Sequence, residues 1–107
     1  MIAWILLFSA GLAEIVFAVS LKLNEGFTRL WPSLLTMVSG AGSFYLLMLS
    51  IKTLPLGTAY AVWTGMGAVG VAIIGIIVFK ESAELMRLVS IMLVVAGIVG
   101  LKLTHID

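Results

Sequence analysis

The chain has 107 residues, of which 63% are hydrophobic and only 10% are charged. Soluble domains carry about 25% charged residues, so lipid is the expected solvent. A formal net charge of +1 offers no basic stripe for nucleic acid, and the absence of Cys excludes disulfides, thiolate catalysis and Cys-ligated zinc.

A membrane-crossing helix needs about 20 residues. Four apolar segments of that length fit, at about Ala3 to Leu21, Pro32 to Ser50, Gly57 to Phe79 and Leu85 to Leu103. The expected fold is an all-α membrane protein, a single domain over residues 1–107. The first segment is too long in its apolar core for a cleaved signal peptide and lacks a basic stretch before it, so it reads as a retained span. Pro32 and Pro55 fall at segment starts, where a missing N–H costs little. Trp4 and Trp31 lie near span ends, as interfacial aromatics do. His105 is expected as a solvated tail residue rather than a metal ligand.

The first segment carries one charge, Glu14, with no other until Lys22. An acid in mid-membrane is costly and is by default a candidate functional site. The plainer alternative places Glu14 near a helix end, in reach of water. Helical spacing puts Leu7, Ala10, Gly11, Phe17, Ala18 and Leu21 on its face. The small residues admit a neighbouring helix. Phe17 is one turn away and can either stack on a planar or cationic guest or simply pack.

The second segment carries a small or polar stripe of Thr36, Gly40, Ser43, Leu47 and Ser50. Ser43 can partner Glu14 or a ligand, or bond its own helix, as membrane hydroxyls commonly do. In the third segment Tyr60, Trp63, Thr64 and Gly67 share a face. Tyr60 and Trp63 have polar tips that seek partners when buried and are expected beside Glu14; for Tyr60 the alternative is an interfacial belt. Gly65-x-Gly67-x-x-Gly70 matches a dinucleotide fingerprint by letter only, because no strand precedes it. Gly65 and Gly67 instead suggest a bend or close approach. The fourth segment offers Ser90 and Gly97 as a helix–helix seam, while Lys102 can snorkel to headgroups.

Lys22, Arg29, Lys80 and Arg87 face one side, against Lys52 and Lys102 on the other. That bias is weak under the positive-inside rule. Four helices barely shield one buried acid, so oligomerisation is expected. A carboxylate in low dielectric needs a proton or a counter-cation. The two exclude each other, and that competition is sufficient for cation–proton antiport. No hydrolytic constellation accompanies it, which argues against an enzyme. A non-transporting membrane partner is the other class open to such a chain.

The chain resembles the small multidrug resistance family of proton-coupled exporters over nearly its whole length. The likeness is carried by Ala13-Glu14, by Gly26-Phe27-Thr28-Arg29-Leu30-Trp31-Pro32-Ser33, by Ser43-Phe44 and by the run from Gly57 to Gly67. The resemblance implies four transmembrane helices per subunit in an antiparallel, dual-topology homodimer of the bacterial inner membrane, with the fourth helix joining the subunits. It implies that Glu14 binds protons and substrate, that Ser43, Tyr60 and Trp63 line the site, and that protons are the coupling ion with no cofactor. Trp63-Thr64-Gly65, Lys80-Glu81 and Gly100-Leu101-Lys102 look like the branch that exports guanidinium. Phe17 departs from that branch, which usually has Trp there, and from the branch exporting quaternary ammonium and other bulky cations, which tends to have Gly. Export of bulkier cations, or a place in a heterodimeric pair, remains the alternative.

Overall fold

The computed structural model describes residues 2–104; His105 lies outside the described residues. Four helices follow one another: α1 (Ile2–Leu23), α2 (Leu30–Ser50), α3 (Leu56–Ile77) and α4 (Leu85–Thr104). All four are long and apolar enough to cross a membrane. A helix of 22 residues rises about 33 Å, enough for a hydrocarbon core of about 30 Å. The ends differ slightly from the sequence reading. Helix α2 begins at Leu30, so Pro32 falls within its first turn, where no intrahelical N–H bond is lost. Helix α3 begins just after Pro55 and ends at Ile77, two residues before Phe79.

The helices form a flat slab, 42 × 34 × 16 Å across the Cα atoms. Helix α1 packs chiefly on α2 and next on α3, while the α4 backbone approaches α3 alone. The stripe read on α2 is its buried face: Thr36, Gly40, Ser43, Leu47 and Ser50 are all enclosed. On α1 the buried face holds Leu7, Ala10 and Gly11, whereas Leu21 is exposed. Helix α4 buries no residue fully, and Ser90 and Gly97 both lie on its open surface.

Trp4 departs from the expected interfacial role. It is 1% exposed and joins the core with Leu7, Leu47, Val62 and Trp63. The Lys102 ammonium lies 4.7 Å from its ring centroid. The start of α1 and the end of α4 share one end of the slab, so this cation caps a ring instead of reaching outward alone. Trp31 is exposed, as an interfacial aromatic should be.

The turn between α1 and α2 is tied by Asn24, which is fully buried. Its side chain accepts from Phe27 N–H at 3.0 Å and donates to Thr36 Oγ1 at 3.2 Å. Thr36 lies 2.9 Å from Ser20 Oγ, which joins the two helices again. Glu25, Gly26 and Phe27 all take left-handed φ values, of 50°, 73° and 66°. Only glycine takes that conformation without cost, so the Asn24 bonds hold Glu25 and Phe27 there.

Candidate functional site

Glu14 is near the middle of α1, half-buried against α3. The two helices meet closely because residue 67 lacks a side chain: a Cβ on Gly67 would lie 2.8 Å from Glu14 Cγ. Among the described residues, no side chain hydrogen-bonds or ion-pairs with the Glu14 carboxyl. An acid near the middle of a membrane-length apolar helix is expensive to leave alone. It faces a cavity of about 410 Å³ with walls of Ala18, Gly67, Ala68, Val71 and Ala72. Glu81 and Arg87 close the far end of that cavity.

Trp63 and Ser43 form a second centre. Trp63 Nε1–H donates to Ser43 Oγ at 2.8 Å, and the Ser43 hydroxyl donates to the Ala10 carbonyl at 2.8 Å. This chain of bonds ties α3, α2 and α1 together. It ends one turn before Glu14, on the carbonyl that helical geometry pairs with the Glu14 N–H. Ser43 therefore does not partner the Glu14 carboxyl; its one proton is committed to Ala10, and the residue is fully enclosed. The Trp63 ring is flanked by Phe44 at 5.3 Å and Tyr60 at 5.5 Å between centroids.

Tyr60 is 52% exposed. Neither it nor Trp63 lines the Glu14 cavity of the single chain. The reason is position along α3: these aromatics occupy its first half, whereas the cavity runs from Gly67 toward the C-terminal end. Phe17 also points elsewhere. Its ring lies on Gly40 of α2, where an added Cβ would come within 2.8 Å of Phe17 Cδ1. Phe17 thus packs between α1 and α2 and is absent from the cavity wall. Helix α3 runs unbroken through Gly65 and Gly67. Both are points of close approach, Gly65 to Ile98 of α4 and Gly67 to Glu14. Gly97 has open space where a Cβ would stand, and Ser90 bonds back to the Met86 carbonyl.

Glu81 and Arg87 also belong to this site. Arg87 Nη2 lies 2.6 Å from Glu81 Oε1, at the mouth of the same cavity. Their i, i+6 spacing spans a loop and a helix start and follows no helical period, so no pattern pointed to them.

Comparison with known proteins agrees with this architecture. The family described as Small Multidrug Resistance protein matches residues 2–94. The guanidinium exporter of Yersinia pseudotuberculosis is 56% identical over 101 residues, covering 94% of this chain and 97% of its own length. That of Proteus vulgaris is 58% identical over 101 residues, with the same coverage. That of Escherichia coli is 57% identical over 104 residues, covering 96% and 99%. With four apolar spans and such relatives in Gram-negative bacteria, it is a multi-pass protein of the inner membrane. The match over most of its length establishes that the chain belongs to the small multidrug resistance family of membrane transporters.

Proposed function

We propose that the chain is a proton-coupled antiporter that exports guanidinium and small guanidinyl cations, working as an antiparallel, dual-topology homodimer. The observation that carries this reading is Glu14: a mid-span carboxyl with no protein partner among the described residues, facing a cavity. A proton or an organic cation can neutralise it, but not both, and that exclusivity couples their movements. Guanidinium is planar and presents several N–H donors, which a carboxylate accepts well. Three relatives named guanidinium exporters, each more than half identical along nearly the whole chain, favour that cargo. Protons serve as the coupling ion and no cofactor is invoked. The Trp63–Ser43–Ala10 bonds fix the backbone beside Glu14, and Tyr60 supplies an exposed phenol at the edge of the aromatic cluster.

Purified protein in liposomes should move guanidinium when a proton gradient is imposed, and Glu14→Gln should abolish the flux. Competition fixes the sign of the pH dependence. Apparent guanidinium affinity should weaken as pH falls, by up to about tenfold per pH unit for each proton displaced. An affinity independent of pH would remove the competition. Phe17, which matches neither branch, keeps open a second reading: export of quaternary ammonium or other hydrophobic cations, alone or as one subunit of a heterodimeric pair. Its ring brings no polar donor and packs on Gly40. Strong flux of a tetraalkylammonium without guanidinium flux would select that reading.

A further inference from the structure

We propose that Glu81 is an outer cation-binding station on the route to Glu14, held ready by Arg87, whose guanidinium occupies it as a tethered stand-in for the cargo. The inference rests on the exporter reading above and deepens it.

The cavity has two ends of different character. Glu14 and Gly67 mark the mid-helix end, while Glu81 and Arg87 mark the end beside the α3–α4 loop. Gly75 lies eight positions beyond Gly67 on α3, a rise of about 12 Å. The wall between is aliphatic, of Ala18, Ala68, Val71 and Ala72. Among the residues lining that end, Glu81 is the carboxylate a cation meets before that stretch.

The Glu81 carboxyl is held in place. It lies directly over Gly75, so that any Cβ there would run into it. The Glu81 backbone N–H also bonds the Gly75 carbonyl at 3.0 Å. Arg87 engages only one of its oxygens, Oε1 at 2.6 Å. A free guanidinium can pair with both oxygens of a carboxylate. The side chains of Arg87 and Glu81 are 30% and 41% exposed, and an ion pair so open to solvent is weak enough to exchange. Lys22 is engaged over the Phe79 ring, 5.1 Å from its centroid, and neither it nor Lys80 pairs with Glu81.

Exchange and a plain structural tie make opposite predictions. If the pair were only a brace, removing either partner would harm transport alike. If Arg87 occupies a cargo station, removing Glu81 weakens capture and removing Arg87 strengthens it. The test is guanidinium transport in proteoliposomes, with KM and maximal rate measured separately. Glu81→Gln should raise KM by roughly threefold to tenfold, and Arg87→Gln should lower it by a similar factor. If either fails to give a monodisperse dimer on gel filtration, Glu81→Asp and Arg87→Lys take their place. Asp is too short to reach over Gly75 and Lys lacks the planar fork, so the same two directions hold. Parallel increases in KM, or an unchanged KM in either variant, overturn the station. In that case wild-type flux leaves the exporter reading standing. No guanidinium flux from the wild type sinks both.

Discussion

At the scale of single residues, the contact between Glu14 and Gly67 decides where the acid points. Gly67→Ala places a methyl group 2.8 Å from Glu14 Cγ, closer than such atoms pack, so the carboxyl must turn. A binding group displaced by about 1 Å loses much of its effect. Titration of guanidinium into purified Gly67→Ala protein should therefore show affinity lowered by roughly tenfold, with unchanged helix content. Equal affinity would mean that the carboxyl finds its cargo from either position. Glu14 was legible from sequence because a charge within an apolar span has few cheap explanations. Ser43 was legible only as a polar group seeking a partner. Its actual partners, Ala10 and Trp63, lie on two other helices. Helical periodicity says which face a hydroxyl occupies, not which carbonyl it reaches.

At the scale of elements, the turn between α1 and α2 rests on one amide. Asn24 lies in a short connection between two helices, yet it is fully buried and serves both. Asn24→Ala leaves the Phe27 N–H without its acceptor and Thr36 without a donor, while Glu25 and Phe27 still hold left-handed backbones. A buried polar group left unpaired costs about 1–3 kcal/mol. The thermal unfolding midpoint in detergent should fall accordingly, and an unchanged midpoint would show that the turn is held otherwise. The helices themselves were easier to read. Their lengths follow from bilayer thickness, and the α2 stripe follows from its small and polar residues. Trp4 was misplaced because position near a span end suggested an interface. Its burial depends on how α1 meets its neighbours, which a linear pattern does not carry.

At the scale of the molecule, the open face of α4 is not in itself a reason for a partner. Lipid covers apolar surface as well as protein does, so exposed Leu or Val in a membrane creates little drive to associate. The stronger reason is the acid. In the single chain the Glu14 cavity is open at its side rather than enclosed. A second copy inserted the opposite way would close it while presenting the site to the other side of the membrane. The charge balance permits both insertions: Lys22, Arg29, Lys80 and Arg87 against Lys52 and Lys102 is a weak bias. The chain has no Cys, so single thiols report topology cleanly. Thr53→Cys in the α2–α3 loop and Ala83→Cys in the α3–α4 loop occupy opposite ends of α3, and both positions are exposed. In intact spheroplasts an impermeant thiol reagent should label about half of each, since neither orientation is strongly preferred. Adding Lys beside Lys52 should tilt the two fractions in opposite directions, because positive loops stay in the cytoplasm. Full labelling at one loop with none at the other would establish a single orientation. It would leave Glu14 to be enclosed by a parallel partner or by a different chain.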